Sequence, residues 1–295
     1  MYKIGVVGTP GGKSSEWLAD AVQARTGFRL LVDMANVSLD LHQRTVFFQG
    51  HNLMQLDGLM VKKIGNKYSP DLLDRLEILR FLHSQGVPVF SSPKSMMQVL
   101  DRLSCTVSLQ LARIPMPPTV VTEDPETAQQ VVREYKEAVF KPLYTSKARG
   151  MRVIGDTPDL EREIYEYKAH NAIMYIQKKI ELKGRDLGLV FLGGKYIGTY
   201  ARCNDGTSWN TTTANGGKYQ AHTPKAESIE IASRAQGLFD LDFTCVDVAE
   251  TDNGPMVFEV SAFGGFQGIW EAEGIDAAQM FTAYTLKQIQ GTHCS

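Results

Sequence analysis

Two acids and one lysine stand where they could do chemistry. Asp247, in Cys245-Val246-Asp247-Val248, and Glu259, in Val257-Phe258-Glu259-Val260, lie in apolar runs separated by the turn-like Thr251-Asp252-Asn253-Gly254-Pro255. Paired as a hairpin, the two runs project both carboxylates onto one face. Carboxylates among Val and Phe need a partner, because unpaired buried charge is strongly unfavourable. Mg²⁺ shared with substrate phosphates answers that need, and so does a salt bridge to an arginine. Upstream, Lys141 closes the apolar run Ala138–Lys141. An ammonium there is costly without a partner, and a phosphate oxygen would satisfy it. The loop that follows, Tyr144-Thr145-Ser146-Lys147-Ala148-Arg149-Gly150, offers amides, hydroxyls and cations. It reads either as a flap over a triphosphate or as a solvated surface loop.

Gly8-Thr9-Pro10-Gly11-Gly12-Lys13-Ser14 ends like a phosphate-cradling P-loop, but that motif needs a glycine six residues before the lysine, and Val7 stands there. The dinucleotide fingerprint fails on spacing too. What remains is a glycine-rich strand-to-helix turn whose helix N-terminus can hold an anion, with Lys13 touching a substrate carboxylate. The four cysteines form no CxxC and have no nearby histidine cluster, which argues against zinc and a disulfide framework. His51, in Phe47-Phe48-Gln49-Gly50-His51-Asn52, lies between strands and reads as a polar loop residue or a substrate contact, while His170 and His222 lie in polar stretches and read as solvated. Trp209 and Trp270 read as walls of a binding site or as ordinary packing.

Lys+Arg total 31 against Asp+Glu 33, so the cationic surplus that general nucleic-acid binding requires is missing. The N-terminus has no signal-peptide pattern, and no run reaches the ~20 apolar residues of a membrane span. A cytoplasmic protein without membrane or nucleic-acid partners is expected.

The elements that must position these residues alternate. Strands at 2–8, 28–32, 58–64 and 87–90 and helices after residue 13 and over 70–84 predict a small parallel α/β unit. A helix is expected over 94–112, then an extended Pro115–Pro118 connection. The strand 119–121, the helix 125–136 and the strands 138–141 and 151–154 follow. Next come a helix over 158–168, strands at 174–177 and 186–191, and a Gly193-Gly194 hairpin into 195–202. The polar stretch 204–218 is too long for a simple connector. A helix over 227–239 and strands 243–249 and 256–260 complete the body.

The order of these features resembles the ATP-grasp superfamily, in the branch holding the ribosomal-protein glutamate ligase and glutathione synthetase. The resemblance runs from Asp57-Gly58 to Ile275-Asp276. Its strongest piece is Val246-Asp247 followed by Gly254-Pro255-Met256-Val257-Phe258-Glu259-Val260-Ser261-Ala262-Phe263-Gly264-Gly265, which is similar to the family's VD…GPLVxEVNxxPG ending. It implies an α/β fold, α+β in the C-terminal lobe. A parallel N-terminal domain would span 1–93, a central subdomain 94–175 and a C-terminal subdomain 176–295.

The resemblance also implies roles. Lys141 and Arg102 contact ATP, and Lys147, Arg149 and Gly150 form the lid. Gln177, Lys178, Lys179 and Ile180 make the adenine hinge, and Asp186 lies near ribose and phosphates. Arg202 steadies the transferring phosphoryl group, and Asp247, Glu259 and Ser261 hold Mg²⁺, with Mn²⁺ a substitute. Arg185, Asn210, Thr212, Asn215 and Lys218 face substrate, beside the Lys13 read from the N-terminal turn. The chain departs from the family where Ser261 replaces Asn, Arg102 replaces Lys, Lys178 replaces an acid, Gly188 replaces Arg and Thr212 replaces Asn. The implied reaction joins a carboxylate to an amine (amino acid, peptide or small protein) through an acylphosphate, in a chain that could form homo-oligomers. Two alternatives stand beside it: a P-loop-like hydrolase or kinase built on Gly11–Ser14, and an ATP-binding regulator without turnover.

Overall fold

The computed structural model describes residues 1–65, 69, 71–145, 148–204, 211 and 216–292. Its first unit is built from β1 (Ile4–Val7), α1 (Lys13–Thr26), β2 (Leu31–Val32), β3 (Ser38–Asp40), β4 (Thr45–Phe48), β5 (His51–Asn52), β6 (Gly58–Val61), α2 (Asp71–Ser84) and β7 (Val89–Phe90). The expected parallel sheet forms in the order β2-β1-β6-β7. Every residue of β1 and β6 is buried, as strands covered on both faces must be. A small antiparallel sheet, β3-β4-β5, interrupts the alternation. Its strands are two to four residues long, too short to leave a periodic signal.

The chain continues through α3 (Pro93–Leu100) and α4 (Arg102–Leu111). The sequence reading of one helix over 94–112 is corrected here. Asp101 adopts an extended conformation (φ −79°, ψ 105°), closes α3 and caps α4 by accepting the Leu103 N–H at 3.0 Å. The apolar stripe runs unbroken past this point, and the capping aspartate decides. The break places Arg102 at the first position of a new helix, buried and turned into the molecule.

The central unit comprises β8 (Thr119–Thr122), α5 (Pro125–Tyr135), β9 (Glu137–Lys141), β10 (Arg152–Gly155), α6 (Leu160–Lys168) and β11 (Met174–Lys178). Asp124 caps α5 through the Thr127 N–H at 2.8 Å, with Pro125 at the favoured first position. The antiparallel sheet β10-β9-β11-β8 lies on α5 and α6 over a core that includes Val132, Phe140, Ile164, Tyr167 and Ile176. All of β11 belongs to this sheet, so a division of the chain at residue 175 falls inside a strand.

The last unit holds β12 (Arg185–Leu192), β13 (Lys195–Cys203), β14 (Lys218–Ala221), α7 (Ala226–Gln236), β15 (Phe243–Thr251), β16 (Gly254–Ser261), α8 (Phe266–Glu273) and α9 (Ala277–Thr292). Gly193 and Gly194, both at positive φ (55° and 75°), make the expected two-residue turn between β12 and β13. The five-stranded antiparallel sheet runs β14-β13-β12-β15-β16. Strand alternation divides its residues. Leu187, Leu189, Ala201, Val246, Val248 and Val260 belong to the core that α7 covers with Ile231, Ala232 and Ala235. The other face carries Asp186, Gly188, Tyr200, Arg202, Asp247, Glu259 and Ser261, brought side by side by the strand register. Helices α8 and α9, which the sequence reading left out, place Phe266, Ile269, Ala278, Phe281 and Ile289 in a core shared with α1.

Candidate active site

The hairpin of β15 and β16 does what the acid spacing implied. Asp247 and Glu259 are direct cross-strand partners, and Ser261 follows two residues later on the same face. A bulge just after Asp247 strengthens the local twist there. Burial pushes the Asp247 carboxyl up to about 6, even with the Arg202 guanidinium opposing it.

Both acids are paired to arginine. Arg202 lies 2.9 Å from Asp247 and also grips Asp186, its Nε donating to both Asp186 oxygens at 3.1 Å. The Thr211 hydroxyl donates to Asp186 as well. Arg102 reaches Glu259 at 3.3 Å, while its Nε and second terminal nitrogen donate to the Pro142 and Thr145 carbonyls, each at 3.2 Å. A single buried guanidinium therefore joins the root of the loop after β9 to the acid on β16. A crevice beside it is lined by Val99, Cys105, Thr106 and Phe258.

Lys141 ends β9 in a buried position. Its ammonium donates to the Gln177 side-chain oxygen at 2.5 Å and lies 5.2 Å from the centre of the Phe258 ring. Burial, with Arg102 nearby, pulls it down to about 7, against the pull of Glu259 and Asp247. Gln177 is fixed in turn by donating to Thr119 Oγ1 at 3.0 Å. Its side chain thus braces Lys141, a role the sequence did not signal. In the hinge beyond it, the Lys178 and Lys179 amides donate to the Pro118 and Glu137 carbonyls. The Lys179 ammonium pairs with Glu137 at 2.9 Å, while Ile180 sits half-buried just past the end of β11.

The remaining candidates are placed less centrally. Arg149 and Gly150 sit in a turn, Gly150 at φ +70° where a side chain is strained. Arg185 and Lys218 both register against Cys203, on the face of the sheet away from the acids, and both are exposed. Lys13 is exposed at the start of α1. The amides before it are already used: Thr9 N–H donates to Ser15 Oγ at 3.1 Å and Gly11 N–H to Glu16 at 2.8 Å. A phosphate cradle at Gly8–Ser14 would have to displace those bonds. Lys147, Asn210, Thr212 and Asn215 lie outside the described residues.

Gly188, where the family commonly carries Arg, is explained by its neighbour. A Cβ there would lie 2.3–2.6 Å from atoms of Tyr200, which is buried and bonded through its hydroxyl to Cys245 Sγ at 3.3 Å. The ring fills the space a longer side chain would need.

The donor set matches a hard cation. Two carboxylates and a hydroxyl share one face, which suits an ion that completes its shell with phosphates and water. Among the described residues, no three His, Cys, Asp or Glu side chains converge into a self-sufficient metal cluster. No helix among those residues is long and apolar enough to cross a membrane.

Comparison with known proteins identifies the family and the fold. Residues 99–285 match the model of the RimK-like ATP-grasp domain. The chain is 26% identical to the tetrahydromethanopterin:alpha-L-glutamate ligase of Methanosarcina acetivorans, over 96% of this chain and 98% of that one. It is 24% identical to the ribosomal protein bS6–L-glutamate ligase of Salmonella paratyphi B, over 79% and 78%. In fold it is similar to the ATP-grasp ligase PsnB complexed with a phosphomimetic variant of its minimal precursor, Mg and ADP. The TM-score is 0.77 at 19% identity, covering 98% of this chain and 99% of that one. The chain belongs to the RimK-like ATP-grasp family and is an ATP-grasp ligase.

Proposed function

We propose that the protein joins a carboxylate to an amine at the expense of ATP, through an acylphosphate, with Asp247, Glu259 and Ser261 holding Mg²⁺. The observation that carries this reading is the register of Asp247 opposite Glu259 on a face that also holds Arg202, with Lys141 and Arg102 close to the same acids. Mg²⁺ bound there would offset charge on the terminal phosphates of ATP, and Mn²⁺ would serve in the same oxygen set.

The chain's own residues do the rest. Lys141, kept partly dehydrated by Phe258 and aimed by Gln177, donates to a phosphate oxygen. Arg202 exchanges its carboxylate partners for the phosphoryl group that moves from ATP to the substrate carboxylate. One P–O bond forms as another breaks, and ADP leaves. The amine then attacks the acyl carbon, loses a proton and expels phosphate. Arg149 and Gly150, in the turn after β9, belong to the loop that would cover the site and keep water from the acylphosphate. The hinge at Gln177–Ile180 receives adenine, and Asp186 faces the ribose side.

Arg202 and Arg102 pair with the same acids that the metal would neutralise. The salt-bridge and metal readings of these acids are then two states of one site. The relatives' names pair L-glutamate with tetrahydromethanopterin or with ribosomal protein bS6, and PsnB is complexed with a precursor peptide. An amino acid is accordingly the favoured amine here, with a small molecule, peptide or protein offering the carboxylate. Lys13, exposed at the start of α1, is the described residue favoured to meet it, since Arg185 and Lys218 lie on the far face of the sheet, and a homo-oligomer in the cytoplasm is the favoured setting.

The test is a screen for ADP and phosphate release across amino acids and peptides, with mass spectrometry of the products. ADP formation that requires one carboxylate–amine pair, with a product lighter than the sum by one water, is expected. Nucleotide binding with no release under any pair would instead establish the regulator without turnover.

A further inference from the structure

Lys62 lies just past β6, and nothing in the proposed reaction uses it. It is 3% exposed, a lysine carried by the N-terminal unit into the C-terminal lobe. Its ammonium donates to the Phe263 carbonyl at 2.6 Å and approaches the Gly264 carbonyl at 3.4 Å. It also stands 4.1 Å from the centre of the Phe266 ring and 5.8 Å from that of Phe243. Among the described residues no carboxylate pairs with it. The lysine's own N–H, like that of Lys63, donates to the Val7 carbonyl at the end of β1. One residue thus grips the root of the β1–α1 turn through its main chain and the turn after β16 through its side chain.

That second turn needs holding. It runs from Ser261 to Gly265 and leads directly from Glu259 into α8. Its internal support is slight: Phe263 N–H reaches Ser261 Oγ at 3.4 Å, and Thr244 Oγ1 donates to the Ser261 carbonyl at 3.0 Å. Gly264 lies against Cys245, where an added Cβ would come within 3.1 Å, and Gly265 sits at φ +96°. Two glycines give the backbone freedom to rotate its peptide planes. A cation bound to two successive carbonyls removes that freedom. Because a trans peptide sets its C=O and N–H in opposite directions, the Gly264 and Gly265 amides are turned away from the N-terminal unit. An apolar side chain could cover the turn but could not orient it.

We propose that Lys62 is a positioning residue: it locks the peptide planes of the Phe263–Gly265 turn and so fixes the segment that joins the metal-site strand to α8. The functional part of this inference rests on the ligase reading, whereas the lock itself is tested without turnover. Burial pulls the Lys62 ammonium down to about 7, with Cys245 across the turn and Lys63 beside it as the charged or titratable neighbours. The lock should therefore weaken as that proton is lost.

Hydrogen–deuterium exchange of the full-length protein reads the turn directly. In Lys62→Met, which keeps the length of the stem, amides of 263–267 should exchange about tenfold faster, while the central sheet stays protected. In the unsubstituted protein, protection of the same amides, corrected for intrinsic rates, should fall as pH rises through 7, and in Lys62→Met it should not respond. A packing role alone would give no such profile. Turn exchange equal in both proteins, or a flat pH profile in the unsubstituted one, overturns the lock. The second measurement stands even if the variant does not fold. Failure of Mg·ADP to bind the unsubstituted protein would count against the ligase reading and leave the exchange comparison intact.

Discussion

Replacing Lys141 by Met should make the unliganded protein more stable and its nucleotide site worse. The side chain is buried, and its ammonium is pulled down to about 7 from an ordinary value of 10.5. At neutral pH the unfolded chain carries the proton fully and the folded chain about half, so the buried amine costs up to about 4 kcal/mol relative to a group with no titration. Methionine has nearly the same length and no charge. It leaves the Gln177 oxygen without its donor, a loss of about 1–3 kcal/mol. The net expectation is a gain of up to about 1–3 kcal/mol for Lys141→Met at pH 7 without ligand. The sign reverses the usual dependence of a paired lysine. Since the folded state binds fewer protons between about pH 7 and 10.5, the stability of the unsubstituted protein rises with pH over that range. The variant's advantage therefore shrinks by up to about 1.4 kcal/mol per pH unit above 7. Urea titrations of both proteins at several pH values measure this, and calorimetry with Mg·ADP should show affinity reduced by about tenfold or more in the variant. A variant less stable than the parent at pH 7, or one that binds Mg·ADP equally well, would refute the reasoning that this lysine is kept for phosphate at a cost to the fold.

Other consequences follow from neighbouring residues. Arg202→Met strands Asp186 and Asp247, which should cost about 2–4 kcal/mol after allowing for their partial solvent access. Millimolar Mg²⁺ should then raise the melting temperature of this variant more than that of the parent, and equal shifts would count against a shared arginine–metal site. Gly188→Ala puts a methyl group into the Tyr200 ring and should destabilise by about 1–3 kcal/mol in urea melts. Lys13→Ala should leave Mg·ADP affinity within about twofold, because Lys13 is exposed and the turn before it bonds to its own helix. Loss of nucleotide binding there would revive a P-loop-like site.

Much of the fold was legible because strands and capped helices leave local signals. The apolar runs of β15 and β16 and the turn residues between them put Asp247 and Glu259 on one face of a hairpin, and the structure adds that they are direct cross-strand partners. The Gly193-Gly194 hairpin was readable for the same reason. The break at Asp101 was not, since α3 and α4 share one apolar stripe and only a capping aspartate separates them. The arginine pairs were equally hidden. Arg202 and Asp186 are adjacent strands apart, and Arg102 meets Glu259 from 157 residues away. Lys62 gave a faint sign, a lysine at the end of the buried strand Gly58–Val61, but its partners are carbonyls about 200 residues distant. Sequence periodicity reports which face is buried and says nothing about which backbone oxygen a buried cation will find.

The central claim, that the acid pair holds the metal of a bound nucleotide, is tested most directly by titrating ADP calorimetrically into the parent and Glu259→Gln, each with and without Mg²⁺. The account predicts that Mg²⁺ strengthens ADP binding to the parent, and that the variant loses this enhancement by about tenfold or more while its metal-free affinity is kept. An enhancement by Mg²⁺ of the same size in both proteins would contradict it.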